Sequence, residues 1–230
     1  MRFRSALLLV LFTFVSTMAH ADAVKPWVSG TLGFSSLAMN DVNADIGNVN
    51  LALLNNGVAA QMNRIGNGLD VTASGGIDFS HGMGVGLEYE HLSAKSEASD
   101  PTGSITYAVP ASILSIIGRY RFESTGPVHG FAQVGVGRLM PSASVTLTSV
   151  GVGSVTRDLE GSGFAFQGSG GLEYSTGSPV SISGILGYRH AVASDVKLNG
   201  APMTTASGGS YAIDYSGIFL RGGLNIAFGH

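Results

Sequence analysis

Glu88, Glu90 and Glu173, with Arg119, Arg121, Arg189 and Arg221, stand inside otherwise apolar, glycine-rich stretches, each on the polar phase of a period-two pattern. Charges of both signs on one face of a sheet have two chemical uses. They can neutralise one another in a confined interior, or they can line a gated path for an ion or proton. An unpaired charge in such a space costs several kcal/mol, and partners of the opposite sign are at hand, so a mutually paired network is the primary reading. A second constellation lies on the opposite phase, where His91 and Ser93 are two residues apart. A histidine base beside a serine hydroxyl is the chemistry of acyl-ester hydrolysis, although a strand end near an interface produces the same spacing without catalysis. The histidines at 20, 81, 91, 129, 190 and 230 do not form a metal-ligand spacing on one element and read as polar rim residues. The Gly-Met-Gly-Val-Gly run at 82–86 has no helix after it and is not a phosphate cradle. Without cysteine, thiolate metal sites and cysteine nucleophiles are excluded. Neither a metal nor a cofactor is expected.

The elements that position these residues are strands. Val71, Ala73, Gly75, Ile77 and Phe79 alternate with Thr72, Ser74, Gly76 and Asp78, and after a short turn Met83, Val85, Leu87, Tyr89 and His91 alternate with Gly84, Gly86, Glu88 and Glu90. The same period organises 116–122 around Arg119 and Arg121, 164–174 around Glu173, 180–190 around Arg189 and 217–228 around Arg221. With strands at 27–36 and 128–138 the total is about eight. Connections alternate in length: long at 37–69, short at 80–83, long near 95–103, short at 123–127, long near 139–162, short at 175–179 and long near 193–209. One rim of tight turns and one of variable loops is the signature of a transmembrane barrel. A soluble barrel would hide the apolar phase and expose the charge. Here the charged phase is the minority one and fits an interior.

Trp27, Tyr89, Tyr120, Phe122, Tyr174, Tyr188 and Phe228 fall near strand ends, where amphipathic rings form interfacial girdles. In the first long connection Leu51, Leu54, Val58, Ala59 and Met62 recur at helical spacing, so a short amphipathic helix is expected near residues 48–63, over the mouth, on the membrane surface or in the lumen.

The chain is 44% hydrophobic and 12% charged, which excludes disorder. Its net charge of −3, with no basic run, excludes electrostatic capture of nucleic acid. Arg2 and Arg4 precede the apolar run from Ala6 to Val15, and Ala19-His20-Ala21 supplies a small-x-small site, so residues 1–21 read as a secretory signal peptide and 22–230 as a barrel domain.

The strand Gly-Val-Gly-Leu-Glu-Tyr-Glu-His-Leu at 84–92, the strand Gly-Arg-Tyr-Arg-Phe at 118–122 and the closing Gly-Gly-Leu-Asn-Ile-Ala-Phe at 222–228, behind that leader, resemble the OmpA-like and Opa-like superfamily of small outer-membrane barrels, including the OmpX/Ail group. The resemblance is architectural. It implies an all-β fold, an eight-stranded antiparallel up-and-down transmembrane barrel with a short helix in the first long loop, located in the outer membrane. It implies outer-membrane lipid as surroundings, assembly machinery reading the C-terminal strand, and an extracellular or host ligand met through the long loops. The role implied is structural or surface display, as for a surface antigen or adhesin, and not catalysis. A narrow channel and a lipid A-modifying barrel enzyme are the alternatives. The His-x-Ser pair of lipid A deacylase barrels continues into Asn, whereas Ser93 is followed by Ala94 and Lys95.

Overall fold

The computed structural model describes residues 24–205 and 208–228. The expected leader, residues 1–21, lies outside the described residues, as do Gly229 and His230. In chain order the elements are β1 (Val24–Ser36), α1 (Asn40–Asn55), β2 (Asn67–Phe79), β3 (Met83–Ser93), β4 (Lys95–Asp100), β5 (Gly103–Ala108), β6 (Ala111–Arg121), β7 (Val128–Ser149), β8 (Gly153–Ser175), β9 (Val180–Leu198), β10 (Ala201–Pro202), β11 (Ile213–Asp214) and β12 (Gly217–Ala227). Eight of the strands, β1, β2, β3, β6, β7, β8, β9 and β12, form an antiparallel ring that β12 closes onto β1, from Trp27↔Ala227 to Ser35↔Phe219. Closure satisfies every ladder and leaves no edge within the ring, a requirement in hydrocarbon, where no water can complete an open backbone.

The alternation decides which side faces out. Leu32, Phe34, Leu87, Ile116, Val134, Phe166, Leu186 and Leu220 point away from the ring and are exposed, while their neighbours one residue away point inward. An apolar surface this continuous would be a liability in water and is a solvent match in lipid. At the short-turn end it finishes in Phe79, Tyr120, Phe122, Tyr174 and Phe228, with Tyr120 and Phe122 edge to face at 5.2 Å. Toward the long-loop end the outward face turns polar at Ser36, His91, Arg138 and His190.

Two expectations are corrected in the long connections. The helix spans Asn40–Asn55 and not 48–63. Gly57, at φ +77°, ends it: Gly57 N–H donates to the Leu54 carbonyl and Val58 N–H to the Leu53 carbonyl, the double bond of a glycine-terminated helix. The buried stripe is Val42, Ile46, Val49 and Leu53, and Leu51 and Leu54 lie on the exposed side. Residues 58–66 carry no regular secondary structure. The other long connections are mostly strand. β7 and β8 pair in one register from Val128↔Tyr174 to Ser149↔Gly153, β4 and β5 form a hairpin alongside, and β9 continues along β8 to Leu198 with one irregularity at Glu160/Ser162. These stretches are Ser-, Thr- and Gly-rich rather than loop-like because a sheet standing clear of the membrane carries polar residues on its outer face.

Helix α1 sits across the long-loop mouth. Its apolar stripe joins Met62 and Ile65 from the returning segment, Leu92, Ile113, Leu139 and Ala191 from the ring and Tyr215 from the link between β11 and β12 in one buried apolar cluster. Two asparagines a helical two turns apart hold the returning backbone: Asn43 accepts from Ile65 N–H and donates to its carbonyl, both at 2.8 Å, and Asn50 does the same for Met62 at 2.8 and 3.0 Å. Irregular backbone beside a helix has no ladder partner, so these amides supply what a strand would.

Candidate functional site

The lumen below this plug holds the charged residues in two clusters. Near the short turns, Glu173 on β8 receives Arg119 and Arg121 on the same carboxylate oxygen, at 2.6 and 2.8 Å. Its other oxygen accepts from Asn225 Nδ2 at 2.9 Å and from Ser181 Oγ. Nearer the mouth, Arg189 and Arg221 meet three carboxylates. Arg189 binds Glu90 and lies 3.5 Å from Asp70, and Arg221 reaches Glu90 at 2.7 Å, Asp70 at 3.0 Å and Glu88 at 3.5 Å. Glu88 also accepts from Gln167 at 2.5 Å and Gln133 at 3.2 Å, and Arg189 donates onward to the Tyr215 carbonyl. All seven residues picked out from sequence thus face the lumen, divided between two groups.

Asp70, fully buried and in contact with both arginines, was missed by sequence reasoning. Its signal was present. Asp70 is in phase with Thr72, Ser74 and Asp78, but the alternation read from sequence starts at Val71, whereas the strand begins at Asn67. The amides Gln133, Gln167 and Asn225 were also missed, being the uncharged members of the same inward phase.

Trp27 is corrected too. It is 2% exposed and stands in the lumen, not in the girdle, whereas Tyr89, Tyr120, Phe122, Tyr174, Tyr188 and Phe228 do face outward. Glycine makes its room: Trp27 pairs with Gly76, which pairs with Gly86, and a Cβ on either would come within about 3 Å of the indole. Phe131 lies over its cross-strand partner Gly171 in the same way, where a Cβ would stand 2.4 Å from the ring. The Arg119 guanidinium rests over both rings, 5.2 Å from the Trp27 centroid and 4.6 Å from that of Phe131. Cation–π contact favours the same placement of charge as the carboxylate does.

The space left among these side chains is about 20 Å³, on the order of one water. Asp70, Glu88, Glu90 and Glu173 are each engaged by arginine, and among the described residues no group of three His, Cys, Asp or Glu could hold a metal ion. On the outer face His91 Nδ1 lies 3.5 Å from Ser112 Oγ across the β3–β6 pair, and Ser112 is also 2.8 Å from the Tyr89 hydroxyl. Ser93 has no part in that contact. Above the ring, burial raises the Asp45 carboxyl of α1 from its ordinary value.

A closed antiparallel ring, apolar outside, ion-paired inside and plugged at one end, defines a transmembrane β-barrel of the outer-membrane type. Residues 5–207 match the outer membrane protein beta-barrel domain family, and the chain belongs to that family, with the outer membrane as its location. Similar solved structures are neisserial surface protein A (13% identity, TM-score 0.42, covering 90% of this chain and 98% of that one) and OprG of Pseudomonas aeruginosa (11%, 0.45, 90% and 97%). A third is the attachment invasion locus protein Ail of Yersinia pestis, solved in complex with the heparin analogue sucrose octasulfate (12%, 0.44, 88% and 99%). No curated protein sequence matches.

Proposed function

We propose that this protein is a closed outer-membrane scaffold whose working surface is the long-loop end, serving envelope structure and contact with molecules outside the cell. The observation that carries the reading is the β7–β8 hairpin. It runs on without interruption of pairing direction for ten register positions beyond Leu139↔Gly163, to Ser149↔Gly153, with β5 paired along it. In barrels of this kind the short turns face the periplasm and the long connections face outward, so the projecting sheet is a rigid platform on the cell surface. Rigid strands hold a contact surface in place at little ordering cost on binding. The filled lumen and apolar plug support a non-conducting scaffold over a channel, and the pairing of His91 with Ser112 in place of Ser93 supports a non-catalytic one. Strand β12, which closes the ring, is the segment the assembly machinery would read.

An epitope tag in the turn at 150–152, probed on intact cells, tests display directly. Labelling is the expected result, and a tag reached only after permeabilisation overturns it. In planar bilayers the purified protein is expected to give no unitary current steps, and steady open-channel steps would install the channel instead. Lipid A mass spectra are expected to stay unchanged on overexpression, and a lost acyl chain dependent on His91 would make the protein an enzyme.

A further inference from the structure

The plug does not cover all of the projecting sheet. Helix α1 ends at Asn55, and beyond it the inner face of β4, β5, β7 and β8 continues with Ile105, Leu147 and Val155. Between these residues and Leu53 and Val58 lies a cleft of about 420 Å³. That volume falls in the range of roughly 300–1,000 Å³ typical of small-molecule sites. Its walls are apolar, and Leu147 and Val155 remain 42% and 59% exposed although they stand well clear of the lipid-facing part of the ring. At about 3.3 Å per residue, Leu147 is some 25 Å along the strand from Leu139. Uncovered apolar surface at that height has no hydrocarbon to meet.

The cleft also holds an uncommitted cation. Arg157 shares the inner phase with Val155 and Leu159, lines the cleft and has no ion pair among the described residues. The acid that also lines the cleft, Asp100, does not pair with Arg157: it is held on its own turn, where its Oδ1 accepts from the Thr102 amide and hydroxyl at 2.8 and 2.6 Å and from the Gly103 amide at 3.0 Å. A trough of apolar walls with one free guanidinium is complementary to a molecule with one anionic head and one apolar chain. Approach is from the aqueous side, which favours a monomer over a lipid held in the bilayer.

We infer that this cleft binds a single-chain anionic amphiphile, a long-chain carboxylate, with its tail between α1 and the projecting sheet and its head on Arg157. The inference gives the display platform a ligand class and rests on that reading. Dodecanoate, dodecanol and dodecyl phosphate are titrated against a fluorescent long-chain carboxylate on the full protein in phosphatidylcholine nanodiscs, with empty nanodiscs subtracted. Saturable displacement by dodecanoate, weakened about tenfold by Arg157→Gln while dodecanol is unaffected by that change, is the expected result. Leu147→Ser is expected to weaken dodecanoate and dodecanol alike, and heat-modifiable migration verifies that each variant is folded. No signal above empty nanodiscs, equal dodecanoate binding by Arg157→Gln, or a preference for dodecyl phosphate would each overturn the assignment. Surface labelling at 150–152 reads the display role separately, so a labelled protein that binds no amphiphile refutes this inference alone.

Discussion

The two ends of the barrel interior are built from opposite materials. Below the plug, down to the short turns, the lumen is a network of guanidinium, carboxylate and amide, with Arg189 and Arg221 almost fully buried among Asp70, Glu88 and Glu90 and with Arg119 on Glu173 beneath them. Toward the long loops it is an apolar core in which Met39, Ile46, Leu139 and Ile213 are as buried as any residue in a soluble protein. The difference follows from what each region must accomplish. Within the membrane the inward phase of each strand is fixed by the outward one, and long, planar arginines fill a narrow eight-strand interior while tying strands distant in sequence. At the mouth, a helix and an irregular segment must be held without a continuous ladder. Apolar burial, with the Asn43 and Asn50 bridges, does that.

The comparison predicts that the two regions fail differently. Arg189→Leu leaves Glu90 short of a partner in a dry site and is expected to cost about 3–5 kcal/mol. Urea titration of the heat-modifiable band in lipid vesicles reads this as a collapse of the whole barrel. Adding Glu90→Gln removes the orphaned charge and should recover most of the loss, and no recovery would mean that the arginine acts by volume rather than charge. Ile46→Ala, in the plug, is expected to cost about 2–4 kcal/mol. That loss should appear as protease cleavage within 56–66 while the ring keeps its mobility shift, and simultaneous unfolding of both would erase the distinction between the regions. Gly171→Ala forces a Cβ against Phe131 and should destabilise by about 1–3 kcal/mol in the same urea assay.

The smallest effect is a pH dependence confined to the plug. Because burial raises the Asp45 carboxyl, the folded state binds the proton more tightly than the unfolded one. Its contribution is therefore greatest at low pH and is lost as pH rises through the folded-state value. Protease protection of 56–66 should fall modestly as the pH rises through and above the ordinary carboxylate range. Asp45→Asn should flatten that fall and leave neutral-pH protection slightly higher, and an unchanged slope would assign the dependence to another group.

Strand count, inward and outward phases and seven lumen charges were legible because a two-residue period is a local property that a lipid-facing surface enforces on every strand. Asp70 was within reach of the same pattern, had β2 been started at Asn67. The helix shows the limit of periodicity. Both Val42-Ile46-Val49-Leu53 and Leu51-Leu54-Val58-Met62 are helical spacings, and only packing over the mouth, with Gly57 ending the helix, selects the first. Trp27 fails for a related reason, since an aromatic ring at a strand end suits either a girdle or a lumen. The glycines opposite it at 76 and 86, brought there by register, decide for the lumen. Sequence alone thus determined the barrel and the sign and side of its charges, because alternation needs nothing beyond the neighbouring residue. Tertiary structure decided which charges meet, what fills the mouth and where strands outlast the membrane, because those depend on residues far apart in the chain, such as Asp41 and Ala212 at 171 positions, being brought into contact.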